Sequence, residues 1–194
     1  MLGKQAKTLT DAQIKTVLTY LETRRSSKRD KVMFLLSMHG LRAKEVASVE
    51  LSMVTNVNGE VSDTIALEDK ASKGSSDRLV PMNKQLQVAL AEWLKQPCRN
   101  RSKYVISTSQ SEKYSGNGVV IWFRRLYKAL GFEGASSHSG RRTFLTQCAR
   151  NVSKAGGSIR DVMALAGHRH LSTTQRYVDE NVEAQRTLVN LIYK

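Results

Sequence analysis

A histidine and a tyrosine near the C-terminal end of the sequence are the residues best suited to chemistry. His168 follows Gly167, a residue type that often ends a helix, and Tyr177 comes nine positions after the histidine. A hydroxyl held on the helix that follows such a corner could attack a phosphate bound at the corner. The alternatives are an ordinary half-buried tyrosine and an exposed loop histidine, with His170 as a rival to His168.

The segment HSGRRTF is a second candidate for binding a phosphate. Arg141 and Arg142 fall in the first turn of a predicted helix, where a cation meets the positive end of the helix macrodipole. A bound anion would remove that conflict, because backbone N–H groups, a guanidinium and the His138 imidazole together suit a phosphate. A solvated basic turn is the alternative interpretation.

Two cations earlier in the chain have simpler interpretations. Arg42 begins a turn, and on its own it is expected to form a surface ion pair with Glu45 or Glu50. Lys73 lies in a polar loop rich in Ser and Gly, where a lysine is usually solvated. The residues next to Arg42 and Lys73 do not by themselves indicate a functional role for either cation.

The overall charge favours a polyanionic partner. The chain of 194 residues has 31 Lys and Arg against 17 Asp and Glu, which gives a net charge of +14. Such an excess in a globular chain is typical of nucleic-acid binding, although ribosome association or mere solubility would also fit. A membrane surface is disfavoured because no segment is a basic amphipathic helix with an aromatic face.

The cysteines and the first residues indicate the cellular compartment. Cys98 and Cys148 are far apart and neither belongs to a Cys-x-x-Cys pair, so the sequence predicts neither a disulfide framework nor a structural zinc site. The first ten residues lack the apolar run of a signal peptide. We therefore predict a cytoplasmic protein.

Helical and strand patterns predict a mostly helical α+β fold with a small antiparallel sheet of three strands. Thr10 with Gln13 and Ser158 with Asp161 form capping-box patterns, Ser172 with Gln175 marks another helix start, and Asn58-Gly59 is a strong hairpin signal. Predicted helices run from Thr10 to the basic run at Arg24, over about 30–39, as a short helix within 40–51, then over about 84–95, 118–130, 139–151, 158–165 and from 173 to the end. Predicted strands lie around the hairpin, through 65–67 and at 78–81.

Taken in chain order, the candidate residues resemble the tyrosine recombinase (phage integrase) family. The pattern G-L-R-x-x-E stands at 40–45, and a lysine-glycine pair followed by R-x-V-P stands at 73–81. The pattern H-x-x-R stands at 138–141, and a Gly-His pair with its tyrosine closes the series at 165–177. The resemblance covers about 10–194, and four patterns in the right order make it specific.

Three positions depart from the family pattern. Gly140 stands at a usual leucine, Arg142 at a position where histidine is common, and Ala166 separates Leu165 from the Gly-His pair. We expect these departures to affect packing more than chemistry.

The resemblance implies a catalytic domain over 1–194, without the family's N-terminal core-binding domain, which was either removed or is naturally lacking. It implies cleavage and rejoining of DNA through a 3′-phosphotyrosine, with no cofactor and no metal. The implied catalytic residues are Arg42, Lys73, His138, Arg141, His168 and Tyr177.

Each implied residue has a part in that reaction. The two arginines would neutralise the phosphate, and Tyr177 would attack it. Lys73 would protonate the leaving 5′-hydroxyl, and His168 would hydrogen-bond a non-bridging oxygen. His138, or the phosphate itself, would accept the tyrosine proton.

The resemblance also implies double-stranded DNA as partner, a homotetramer on paired DNA sites, a monomer or weak oligomer when free, and an accessory DNA-bending or directionality factor. The predicted DNA-contacting cations are Arg24, Arg25, Lys28, Lys44, Arg78, Arg124, Arg142 and Arg169. A type IB topoisomerase and a catalytically silent DNA-binding protein of the same fold are the alternatives. A zinc hydrolase is disfavoured because the histidines and cysteines lack ligand spacing.

Overall fold

Helices make up most of the fold. The structure is a computed structural model, and it describes residues 6–68, 77–97, 102–108, 110–175, 177, 186 and 189–190. Lys73 and Cys98 lie outside the described residues. The described elements are α1 (Asp11–Glu22), α2 (Ser27–Met38), α3 (Ala43–Ser48), a 3-10 turn (Leu51–Met53), β1 (Thr64–Leu67), β2 (Arg78–Pro81), α4 (Lys84–Leu94), α5 (Gly116–Ala129), α6 (Ser139–Asn151), α7 (Ile159–Ala166) and α8 (Leu171–Gln175).

The core is built around α2, which contacts α1, α3, α4 and α6. Every residue from 32 to 37 is buried. A helix covered on nearly all sides lies in the interior of a domain. After α2 the chain turns at Gly40, which has φ +84°, and this turn places Arg42 outside the core.

The close packing of α2 on α6 explains why glycine occupies position 140. A Cβ atom at Gly140 would lie 3.1 Å from the backbone carbonyl carbon of Ser37 and still closer to its hydroxyl. Any larger side chain, including the leucine of the family pattern, would push the two helices apart. The departure from the family pattern at Gly140 is therefore a packing feature.

The sheet has two strands in the described part of the chain, one fewer than predicted. β1 pairs with β2 in antiparallel register, with Thr64 opposite Pro81. The Asn-Gly turn does form, but Thr55 and Val61 make a single bridge rather than a strand pair. The side-chain oxygen of Asn56 accepts the N–H groups of Asn58 and Glu60, so these groups are satisfied within the loop.

The predicted helices are confirmed with small shifts of their ends, and so are the capping boxes at Thr10 and Ser158. The predicted helix from 173 to the end of the chain falls mostly outside the described residues, of which 186, 189 and 190 are helical. α8 begins at Leu171 and ends at Gln175, so Tyr177 lies in the turn beyond it rather than in its second turn. The N–H of Tyr177 donates to the carbonyl of Thr174, three residues back, and this bond tightens the chain after α8.

Neither a membrane-spanning helix nor a cluster of metal ligands occurs in the described residues. None of the described helices combines the length and the hydropathy that a membrane crossing requires. No three His, Cys, Asp or Glu side chains of the described segments come together as a metal site. Cys148 is half-buried and free.

Candidate active site

Arg141, in the first turn of α6, lies at the centre of the candidate site and is almost fully buried. Its guanidinium donates to the carbonyl of Gly40, beyond α2, and at 2.7 Å to the carbonyl of Ala166, the last residue of α7. Helix C-terminal ends carry partial negative charge, so both ends favour a cation here. No carboxylate of the described residues lies within 4.0 Å of this guanidinium, so its charge has neutral partners only.

The pKa of Arg141 reflects first its burial and then the positive charges around it. Burial and the neighbouring charge of Arg42 lower the pKa of Arg141 to about 10, and Arg78 acts in the same direction. Glu45 and Tyr177 oppose the shift without cancelling it. The guanidinium stays charged at neutral pH, and an anion placed beside it would be stabilised.

Glu45 organises the two other arginines. Its buried carboxylate accepts from Arg42 at 2.8 Å and from both terminal nitrogens of Arg78 at 3.2 and 2.8 Å. Burial alone would raise the pKa of Glu45, but the hydrogen bonds and charge of Arg78, with those of Arg42, lower it below its ordinary value. The predicted ion pair of Arg42 with Glu45 is therefore present, but it is built on a buried carboxylate that holds Arg42 in place.

Arg78 is almost fully buried, and its guanidinium is bonded to Glu45. Its side chain is 5% exposed, against 39% for Arg42. It crosses over Gly167, where an added Cβ would lie 2.7 Å from a terminal guanidinium nitrogen. Gly167 also has φ +59°, so the position needs glycine for two reasons. We therefore replace the predicted DNA contact of Arg78 with a positioning role.

His168 is held by a hydrogen bond on each ring nitrogen. Nε2 lies 3.1 Å from Arg141, and Nδ1 lies 2.9 Å from the hydroxyl of the fully buried Thr174. A guanidinium only donates, so Nε2 accepts and Nδ1 carries the proton. Burial and the charges of Arg141, Arg42 and Arg78 lower the pKa of His168 to about 4, so the imidazole is neutral at neutral pH.

The Tyr177 ring stacks on the His168 ring, with centroids 6.1 Å apart and planes 19° from parallel. The half-buried Tyr177 also packs against the small apolar cluster that includes Leu145, Val162 and Ala166. The corner between α7 and α8 thus brings the candidate nucleophile beside His168 and close to the charge of Arg141.

The structure brings together four of the six predicted catalytic residues: Arg42, Arg141, His168 and Tyr177. His138 is at the N-terminal end of α6 with its ring exposed, and the ring makes no hydrogen bond to another described residue. Lys73 lies outside the described residues. His170, the rival histidine, is exposed and lies away from these hydrogen bonds.

A cleft of about 1050 Å³ opens beside His168. It lies between the start of β2 and the corner that joins α7 to α8. The ionisable residues lining it are mainly basic: Asp77, Arg78, Arg160, His168, Arg169 and His170. A polyanion in this cleft would reach the ring of His168.

The other predicted DNA-contacting cations differ in their surroundings. Arg24 is paired at 2.8 Å with the buried Asp30, and Arg142 is half-buried, with a bond to the carbonyl of Ala6. The remaining ones are exposed: Arg25, Lys28, Lys44, Arg124 and Arg169.

Sequence reasoning missed the parts that Glu45 and Thr174 play. Glu45 was predicted only to pair with Arg42 at the surface, although it is the last residue of the G-L-R-x-x-E pattern. Thr174 lies six residues after His168, within one turn of α8. Its place between the histidine and the tyrosine is the one signal that could have identified it.

Comparison with known proteins finds one family over most of the chain. The model of the phage integrase family matches residues 7–184. The tyrosine recombinase XerA of Pyrococcus horikoshii is 28% identical over 174 residues, which cover 88% of this chain and 56% of that protein. The tyrosine recombinase XerC of Shewanella amazonensis is 28% identical over 155 residues, covering 77% of this chain and 48% of the relative. The chain thus spans about half the length of these relatives.

Solved structures show the same fold. The Tn1549 transposon integrase in complex with transposon right end DNA superposes with a TM-score of 0.77 and 16% identity, over 100% of this chain and 68% of that one. The XerA recombinase crystal structure gives a TM-score of 0.71 and 21% identity, over 97% of this chain and 66% of that one. The mostly helical fold with its small sheet, predicted from the sequence, is therefore confirmed.

Proposed function

The chain belongs to the phage integrase family, and from this premise we propose that it carries the catalytic domain of a site-specific DNA recombinase. The observation that carries the proposal is the buried charge of Arg141, which has no carboxylate beside it among the described residues and lies next to His168 and near Tyr177. A phosphodiester would supply the missing negative charge at the place where a hydroxyl nucleophile is available. The named Xer recombinases and the DNA-bound integrase among its relatives support the same reaction.

The proposed step is a transesterification. The Tyr177 oxygen forms a bond to phosphorus, the bond from phosphorus to the 5′-oxygen breaks, and the tyrosine becomes a 3′-phosphotyrosine. Arg42 and Arg141 stabilise the charge that grows on the phosphate oxygens. The 5′-oxygen takes a proton, for which the family resemblance supplies Lys73, and the tyrosine proton goes to His138 or to the phosphate. Attack of a 5′-hydroxyl on the phosphotyrosine reverses the step and rejoins the strand.

Thr174 has a positioning role in this proposal. In the free protein, Nε2 of His168 accepts a hydrogen bond from Arg141, so Nε2 has no proton to donate to a phosphate oxygen. When a phosphate engages Arg141, the neutral ring of His168 can donate from Nε2 only if its proton has moved there from Nδ1. The Thr174 hydroxyl accepts from Nδ1–H in the first state and donates to Nδ1 in the second. One hydroxyl therefore holds the ring in both tautomers.

Several further parts of the proposal depend on the family resemblance. The partner is double-stranded DNA, and the chain acts as a homotetramer on paired sites with an accessory DNA-bending or directionality factor. The cytoplasmic location predicted from the cysteines belongs to the same proposal. The basic cleft beside His168 supports the DNA partner.

The test is the capture of covalent protein–DNA adducts in cells. Wild-type chain, Tyr177→Phe and the control Tyr104→Phe are expressed beside the DNA that flanks the gene, the cells are lysed in SDS, and DNA bound to protein is sequenced. Wild type and Tyr104→Phe should give adducts at one repeated site. Tyr177→Phe should give none, while it binds DNA as well as wild type does, because only the nucleophilic oxygen is lost.

The remaining results separate the competing functions. Scattered adducts without a preferred site would favour a type IB topoisomerase. DNA binding with no adduct from any of the three proteins would favour a catalytically silent DNA-binding protein. Adducts of Tyr177→Phe at the wild-type level would show that another residue is the nucleophile.

A further inference from the structure

A second cavity lies at the opposite end of α2 from the candidate site. It has a volume of about 620 Å³ and is lined by the first turn of α2, by Gln96 beyond α4, and by Ser107. α2 has 12 residues, which is about 18 Å of helix, so this cavity is separate from the turn at Gly40.

The α2 end that faces this cavity has no cap. The side chain of Ser26, at the N-cap position, makes no capping hydrogen bond. The backbone N–H groups of Lys28 and Arg29 have no acceptor among the described residues. Free N–H groups at the positive end of a helix attract an anion.

The charges around the cavity act in the same direction. The exposed Arg25 and Lys28 line it, and so does Arg29. The nearest carboxylate on this helix is that of Asp30, which is fully buried and accepts from Arg24 and Arg29. Its charge is therefore covered, whereas those of Arg25 and Lys28 face the cavity edge.

An independent observation at Ser107 points to a ligand. Ser107 lines the cavity and is 1% exposed, and its buried hydroxyl has no hydrogen-bond partner. A buried hydroxyl without a partner is costly and calls for an explanation, because folding has removed it from water without replacing the bond. A ligand oxygen in the cavity would accept from this hydroxyl.

We propose that this cavity binds a phosphate-type oxyanion. The N–H groups of Lys28 and Arg29 and the Ser107 hydroxyl donate to its oxygens, and Arg25 and Lys28 balance its charge. The proposal does not depend on the function of the catalytic site. A DNA backbone phosphate and a small phosphate compound are the two possible sources of this chemistry.

Titration of the full chain with inorganic phosphate tests the proposal, with backbone amide NMR as the readout. Phosphate binding should shift the amide signals of Lys28, Arg29 and Ser107 saturably, and these signals separate this cavity from the site around Arg141. Ser107→Ala should weaken that binding about tenfold, since a hydrogen bond to a charged group is lost. The same variant should unfold at an equal or higher temperature than wild type, because the hydroxyl it removes has no partner.

Two further variants complete the test. Lys28→Gln should weaken phosphate binding in the cavity, and Lys128→Gln, an exposed lysine at the far end of α5, should leave it unchanged. The proposal is overturned if the three amides do not shift saturably, or if both Ser107→Ala and Lys28→Gln bind phosphate as wild type does.

A DNA duplex added in place of phosphate identifies the source. If the duplex moves the same amides and Lys28→Gln reduces the salt slope of DNA binding by about one, the ligand is a backbone phosphate. If phosphate moves the amides and the duplex does not, the ligand is a small phosphate compound. Both results support the oxyanion site, and neither depends on whether Tyr177 forms an adduct.

Discussion

The buried charge of Arg141 is held by neutral groups, so replacing Arg141 tests directly whether this charge takes part in the reaction. Arg141→Ala should slow phosphotyrosine formation at saturating DNA on the order of 10²- to 10³-fold, the usual loss when a donor to transition-state charge is removed. Arg142→Ala is the matched control, because its guanidinium is on the same helical turn but bonds the carbonyl of Ala6. Single-turnover kinetics give both rates, and equal rates would contradict the assignment of Arg141.

Thr174→Val tests the hydroxyl that holds His168 while keeping the shape of the side chain. One hydrogen bond is lost, so the single-turnover rate at saturating DNA should fall about twofold to tenfold. The exposed Thr173→Val is the control. The Nδ1 chemical shift of His168 should change in Thr174→Val, because the hydrogen bond at that nitrogen is lost, while Nε2 keeps its bond from Arg141. Identical ring shifts in both proteins would refute the positioning role.

Single residues differ in how far the sequence could predict them. Arg42, Arg141, His168 and Tyr177 lie together in the fold, and their types and spacing, which follow the family patterns, could be read from the sequence. The pair of Arg78 with Glu45 was not predicted, since it joins residues 33 positions apart that the chain brings together only on folding. A charge that lies inside the fold looks the same in the sequence as one on the surface.

Glu45 connects two elements of the fold, because its carboxylate in α3 bonds to Arg78 in β2. Glu45→Gln leaves the charge of the buried Arg78 unbalanced, and breaking a buried ion pair in this way costs about 3–5 kcal/mol of unfolding free energy. Urea unfolding monitored by circular dichroism measures the loss. Glu50→Gln, which removes the partner of the exposed Lys103, should change the unfolding midpoint little.

A second substitution shows whether the loss comes from the unpaired charge. Arg78→Met added to Glu45→Gln should recover much of the stability, because the uncompensated cation is then gone. If the double variant is less stable than Glu45→Gln alone, packing rather than charge explains the effect.

Predictions of helices and strands succeeded where the local signal and the packing agree. The capping boxes at Thr10 and Ser158 start helices where predicted, since the bonds that form them are local. The Asn-Gly turn also forms, but the strand pairing expected around it is limited to Thr55 and Val61. A turn signal sets the reversal of the chain, whereas the length of a ladder depends on competing partners such as the Asn56 side chain.

On the scale of the whole molecule, the net charge of +14 is distributed between buried and exposed cations with different tasks. Arg78 and Arg141 are buried, while Lys44 is exposed on α3, two residues after Arg42. Lys44 also packs along Gly116 at the start of α5. The sequence could predict the excess charge and its partner class, but not which cations were free to meet that partner.

The salt dependence of DNA binding measures how many of these exposed cations meet phosphate. The logarithm of the binding constant should fall linearly with the logarithm of salt concentration, with a slope of about −0.9 for each phosphate neutralised. Lys44→Gln should weaken binding and reduce the magnitude of that slope by about one, because Lys44 is exposed two residues after Arg42, which is proposed to bind the scissile phosphate. Lys95→Gln, exposed at the end of α4, should leave the slope as in wild type. Fluorescence anisotropy with a labelled duplex at several salt concentrations gives the slopes. If Lys44→Gln and Lys95→Gln changed them equally, the DNA would be held by diffuse charge rather than by the face that carries Arg42.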